Sequence, residues 1–208
     1  MKRNIVLIAL ILFFANDGFC QEIRTFHTVN FSSTLSKSVN NYSVSVGEML
    51  QVNRTIPFRF LVAAQYTGKI TKSGIWPSNT SLNIKNNIFT SKINMPIGAE
   101  VYYKNIGLGL VQEIVNFNLA KSFDSTKIQT SQNFEIKTNG FSHVFSNKNN
   151  LNSTFYLVYT ISDSFSLKAG FNRGNEVFNF YEDSKKVGFS KITDNSVFIS
   201  IRTNIEKY

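Results

Sequence analysis

The sequence predicts an all-β fold: antiparallel strands running up and down, closed into a transmembrane barrel of eight strands, with ten as the competing count. Three observations predict it. Apolar residues alternate with polar or small ones in segment after segment, the period of a strand with one apolar face. The joints between segments are alternately short and long, as in a meander whose tight turns share one end. Beyond the N-terminus there is no helical heptad pattern, no second long apolar run and no clear repeat.

The chain of 208 residues opens on Lys2 and Arg3, then the apolar run IVLIALILFFA at residues 5–15. That run is short for a membrane-spanning helix and right for the core of an export signal. Gly18 and Cys20 are small residues suited to a cut before Gln21. Residues 1–20 are therefore expected to be a cleaved signal peptide and residues 21–208 one barrel domain. Asp17 and Phe19 stand where a lipid-attachment motif wants other residues, so Cys20 is not expected to carry lipid. Cys20 is also the sole cysteine, so no disulfide is expected in the mature chain. The net charge of +9 falls to +8 without the signal. An exported chain of that charge meets anionic headgroups or polysaccharide rather than nucleic acid.

Six segments then alternate well. Residues 58–67 (FRFLVAAQYT) group Phe58, Phe60, Val62, Ala64 and Tyr66 on one face. Residues 93–103 group Ile93, Met95, Ile97, Ala99, Val101 and Tyr103, and residues 106–116 restart with Ile106, Leu108 and Leu110. Residues 154–161 group Phe155, Leu157, Tyr159 and Ile161; residues 165–172 group Phe165, Leu167, Ala169 and Phe171. Residues 197–205 group Val197, Ile199, Ile201, Thr203 and Ile205. Residues 42–52 are weaker, because Glu48 falls on the apolar face unless a bulge near Gly47 shifts the register. Residues 23–35 alternate only through Val29 and Phe31. Long connections are expected at 68–91, 119–153 and 173–196, with Asn139-Gly140 marking a hairpin that stands out of the sheet.

The apolar face could point into a core or into lipid. The faces of the six good strands carry no charge, and the opposite faces carry Arg59, Glu100, Glu113, Lys168 and Arg202 among small and polar residues. Such a set suits a narrow filled lumen in which bases and acids pair. Aromatics gather near strand ends: Phe58, Tyr103, Tyr159 and Phe165 beside the short turns, Tyr66, Phe117, Phe155 and Phe171 towards the long loops. Two such rings are what a bilayer interface selects. The balance favours lipid.

The export signal, the pairs INMPIGAEVYYKNIGLGLVQEI and FYLVYTISDSFSLKAGFN and the closing strand SVFISIRTNIEKY resemble the small outer-membrane β-barrel proteins of Gram-negative bacteria. The resemblance implies an eight-stranded, porin-like barrel integral to the outer membrane and inserted by the barrel-assembly machinery. It also implies short periplasmic turns and long extracellular loops, among outer-membrane lipid and lipopolysaccharide. Members close on an aromatic residue in phase with the last strand; Tyr208 is out of phase with Ile199, Ile201 and Ile205, or a bulge lies near Glu206.

Chemistry is sparse. There is no phosphate loop, dinucleotide fingerprint or zinc spacing, so no cofactor or metal is expected. His27 and His143 read as surface or loop histidines. Ser142 and His143 are adjacent on one strand and so face opposite ways, poor geometry for a nucleophile and base; Ser146 is the other serine nearby. Trp76 suits a loop anchor at headgroups. The expected role is non-enzymatic: an envelope structural or surface-interaction protein, with loops that could bind an extracellular ligand or protein. A small-solute channel is the alternative, followed by an exported soluble ligand-binding barrel and a lipid A-modifying enzyme.

Overall fold

The computed structural model describes residues 24–51, 58–76, 82–119, 122–123, 128–129, 135–138, 140–145 and 151–206. The expected signal, Ser146 and Tyr208 lie outside the described residues. Eight strands form a ring: β1 (Arg24–Leu35), β2 (Val39–Gln51), β3 (Phe58–Thr71), β4 (Ile88–Tyr103), β5 (Ile106–Asn118), β6 (Asn152–Ser162), β7 (Phe165–Glu182) and β8 (Lys185–Glu206). Consecutive strands pair antiparallel, and β1 pairs with β8 from Phe26↔Glu206 to Leu35↔Val197, which closes the sheet on itself. The fold is an eight-stranded up-and-down barrel, not a ten-stranded one. Both described chain ends lie at the end that carries the turns Lys104–Asn105 and Asp163–Ser164.

Alternation decides which side each residue takes. On β8, Ile199, Ile201 and Ile205 are exposed, while Ser200, Arg202 and Asn204 between them are buried. The same holds on β6, where Phe155, Leu157 and Tyr159 are exposed and Tyr156 and Val158 buried. The apolar rows therefore point out of the barrel and the polar rows into it.

One irregularity preserves this pattern. Between Met95↔Val115 and Pro96↔Glu113 the β4–β5 register shifts, so β5 carries one extra residue opposite Pro96. Proline has no N–H to offer the ladder and sits in sheets mainly at edges or bulges. Past the bulge the parity of β5 reverses, which turns Asn116 inward and Phe117 outward.

Several expectations need correction. No bulge rescues Glu48: the β1–β2 and β2–β3 registers run unbroken, and Glu48 stands on the outward face opposite His27. Glu206 pairs with Phe26 without a shift. Residues 173–196 are not a loop. β7 and β8 run on past the ring and meet in a two-residue turn, with Asp183 at φ 47° and Ser184 at φ 65°, the left-handed pair of a tight hairpin. The hairpin expected around Asn139-Gly140 does not stand alone. Its first arm, Glu135–Thr138, pairs with β7, and its second, Phe141–His143, pairs with β5. They extend the sheet at the loop end, above the start of the shorter β6. There Val39, Ile84, Ile88, Ile136, Phe178, Phe180 and Ile192 form a buried apolar cluster over the ring.

The candidate functional site in the barrel lumen

The lumen is the chemically distinctive part of the molecule. Its centre is built from four strands. β4 contributes Glu100 and Tyr102, β6 contributes Tyr156, β7 contributes Lys168 and β8 contributes Arg202, and the two charged pairs that they form are buried. One guanidinium nitrogen of Arg202 donates to both Glu100 oxygens at 2.7 Å, and the other donates to the Tyr102 hydroxyl at 2.7 Å. Tyr102 and Tyr156 each donate to Glu100 at 2.7 Å, and the Lys168 ammonium lies 3.0 Å from the same carboxylate. A lone buried carboxylate would be costly; here each Glu100 oxygen has at least two donors. The Arg59 guanidinium lies over the Tyr102 ring at 4.2 Å and donates to Gln51 at 3.1 Å, which places it on the turn-end flank of the cluster.

Glycines make the space. A Cβ on Gly109 would lie 2.4 Å from the Tyr156 ring, and one on Gly170 would lie 2.1 Å from the Phe155 carbonyl oxygen. Gly109 thus leaves room for the Tyr156 ring, and Gly170 lets β7 lie close to the β6 backbone at that residue.

Glu113 does not join this group. It binds Lys92 and Asn94, each at 2.5 Å, and accepts from the backbone and side-chain nitrogens of Asn152, each at 2.9 Å. Glu113 therefore fastens the start of β6 to the bulged stretch of β5. Nearer the loop end Lys69 pairs with Glu176. Among the described residues the lumen thus holds the Glu100 cluster, the Glu113–Lys92 pair and the Lys69–Glu176 pair. The sequence does not mark Lys92 and Lys69, which lie just beyond the apolar alternation of their strands, nor Glu176, which falls in the stretch 173–196 expected to be a loop. Extending the parity of Ile93 back by one residue would have found Lys92.

Between the two lower groups lies a cavity of about 70 Å³, lined by Asn30, Asn41, Ser45, Thr154 and Asn172 among others. That is space for only a few water molecules. The Asn30 and Asn41 side-chain oxygens are buried there without a protein partner. Below it lies the Glu100 cluster, and above it the apolar cluster around Phe178.

The remaining candidates lie elsewhere. The eight ring-forming aromatics, Phe58, Tyr66, Tyr103, Phe117, Phe155, Tyr159, Phe165 and Phe171, are all on outward rows, with Phe171 and Tyr103 the most exposed. Ser142 is buried facing inward, while His143 stacks outside with Phe141 and Phe145, so the two do not meet. The Trp76 backbone lies in the short strand Gly74–Trp76. Among the described residues no cluster of three or more His, Cys, Asp or Glu side chains could hold a metal.

No protein-family model and no curated protein matches the chain. Among solved structures, the crystal structure of Neisserial surface protein A (NspA) is similar at 12% identity, over 88% of this chain and 97% of that one, with a TM-score of 0.40. At that level the likeness adds nothing to the strand pairing described above.

Proposed function

We propose that the chain is a non-enzymatic integral barrel of the outer membrane, with an envelope-structural or surface-interaction role carried by its loop end. The observation behind this is the inversion of the barrel. A row of exposed Ile, Leu, Val and Phe encircles the outside, while Arg202 is 0% and Glu100 1% exposed inside. Water-soluble monomers rarely expose apolar patches of more than a few hundred Å². A belt of strands facing hydrocarbon needs such a surface, and a closed ring satisfies every backbone group within it. The filled lumen supports an anchored structure over a channel, and among the described residues Ser142 and His143 face apart rather than pairing as nucleophile and base. The loop end presents Lys37, Lys72, Arg173 and Lys191, suited to phosphate-bearing outer-leaflet lipopolysaccharide or an acidic surface partner. Insertion by the barrel-assembly machinery follows from the same reading.

The test is directional labelling. With Cys20 replaced, Leu167→Cys should react in cells with a lipid-partitioning maleimide and not with a water-soluble one. Lys168→Cys should be shielded from the lipid reagent. If Leu167→Cys is closed to both reagents and the protein is released without detergent, the outward row is a buried core and the proposal fails.

A further inference from the structure

The loop end of the outer wall is chemically one-sided. The register can be followed strand by strand from Thr25 on β1, through Leu110 and Phe171, to Val197 and back to β1 at Leu35, ten residues further on. A paired row therefore climbs by about one and a quarter residues per strand. With that climb allowed for, Arg173 stands level with Tyr42 and about one residue above Tyr66, among the aromatics of the loop-end ring. Its outward neighbour on β8 is Asn195, and Lys37 follows Leu35 in the β1–β2 turn. All three are exposed, and among the described residues neither Arg173 nor Lys37 is in an ion pair. Across the ring, the outward rows of β3 to β5 at this level present Tyr66, Gly68, Ile93 and Phe117 and no basic side chain.

Below these polar residues the wall is hollowed on both sides of one ring. Phe171, 71% exposed, stands between a hollow of about 570 Å³ that Leu35, Lys37 and Val197 help to line and one of about 400 Å³ that Leu110, Phe155 and Arg173 help to line. Asn195 borders both. Each hollow thus has an apolar floor continuous with the outward rows and one basic side chain at its upper rim. The acid in the first hollow, Asp194, is partly buried and lies 2.9 Å from the Ser36 hydroxyl.

We propose that this face, made by β6, β7, β8 and the β1–β2 turn, seats one phosphate-bearing lipid of the outer leaflet. Its acyl chains lie in the two hollows, parted by the Phe171 ring, and its phosphates meet Lys37 and Arg173. The inference rests on the membrane reading above and gives the lipid contact a place. A soluble acidic partner would meet the two bases and leave the hollows below them unfilled. A phosphate-free amphiphile would fill the hollows and leave two cations unpaired at their rims. A lipid with phosphate answers both halves of the surface. The guanidinium grips phosphate oxygens with two parallel N–H donors, the ammonium acts as a point charge, and the Asn195 amide between them offers a further N–H. Basic pockets at headgroup depth select anionic lipids in this way.

The experiment titrates lipid A, with its phosphates in place, into the full chain held in uncharged dodecylmaltoside micelles, and native mass spectrometry counts the bound lipid. Lys37→Gln with Arg173→Gln should weaken binding by about tenfold. Lys185→Gln with Lys191→Gln removes the same charge from the hairpin above the hollows and should change it by less than about twofold. Phe171→Ala should weaken it by about threefold. Lipid A stripped of its phosphates should bind the wild type about tenfold more weakly, an arm that needs no variant to fold. Inorganic phosphate alone should not displace the lipid. Equal loss from the two double variants, an unchanged affinity in Phe171→Ala, equal binding of the stripped lipid, or displacement by inorganic phosphate overturns the site. Any of these in a protein that needs detergent sinks the lipid site alone. Release without detergent sinks the membrane reading as well.

Discussion

Arg202 and Glu100 stand 102 positions apart in sequence and share a 2.7 Å contact in which one guanidinium nitrogen reaches both carboxylate oxygens. β8 and β4 are not neighbours in the ring, so this contact spans the lumen and ties opposite walls. Removing Arg202 leaves Glu100 buried with Lys168 and two hydroxyls. Arg202→Ala should destabilise the folded barrel by about 3–5 kcal/mol, the usual result of breaking one side of a buried pair. Urea unfolding in micelles would measure it. A double-mutant cycle with Glu100→Gln should show strong coupling, and a cycle pairing Arg202→Ala with Glu113→Gln almost none.

The second prediction concerns backbone clearance. Gly170→Ala would drive a methyl into the Phe155 carbonyl and the Tyr156 Cα, whereas Gly109→Ala meets only the Tyr156 ring. A ring can swing; a strand opposite cannot. Gly170→Ala should therefore cost more, with overpacking of this kind worth about 1–3 kcal/mol. Refolding yield and urea midpoint for the two variants should rank in that order.

The third concerns conduction. With a cavity of only about 70 Å³ between the Glu100 cluster and the apolar side chains near the loop end, the protein should show no discrete conductance steps in a planar bilayer. Tyr156→Ala should enlarge the cavity into the Glu100 site and still leave the apolar cluster closed, so it too should not conduct. Steps in the wild type would restore the channel reading.

The fourth separates barrel from cap. Ile136 packs in the cluster with Phe178 and Phe180 above the ring. Ile136→Asp places a charge among them and should open the loop end to protease on intact cells. The eight-stranded ring should remain folded, seen as unchanged heat-dependent gel mobility.

The fifth is a pH dependence at Asp194, which lies beyond Val197 where the outward apolar row of β8 ends. Burial lifts its carboxyl above the ordinary value, with the Ser36 hydrogen bond and Lys69 and Lys72 acting the other way. A carboxyl raised in the fold contributes stability in its neutral form. That contribution is full at low pH and is lost as pH rises through the raised value. The Ser36 hydroxyl lies 2.9 Å from both Asp194 and the Val39 carbonyl, and its one proton serves one at a time. Amide protection at Ser38 and Val39, corrected for intrinsic exchange, should fall from pH 4 to pH 8. Asp194→Asn should remove the slope.

The outward rows of β3, β4, β6 and β8 were legible because their alternation is nearly pure. β1 was hard to read because Thr25, His27 and Ser33 put polar groups on its outward row. The outer part of β7 reads as loop for the opposite reason. Val177, Phe178, Asn179 and Phe180 are all buried, Phe178 and Phe180 within the apolar cluster, so no alternation marks the strand there. The partners of Glu100 and Glu113 were out of reach. Both face inward from neighbouring strands, but strand tilt sets their heights in the lumen, and tilt is invisible in a linear pattern.

The bulge on β5 has a consequence for how this gene can change. Deleting one codon in a barrel strand ordinarily turns every residue beyond it inside out. At Ile114 the opposite holds, because the strand already carries one residue too many there. Loss of that single codon would leave Val115 and Phe117 outside and Asn116 inside, in unbroken alternation from Ile106. At this position the lineage can shorten its wall and keep its faces.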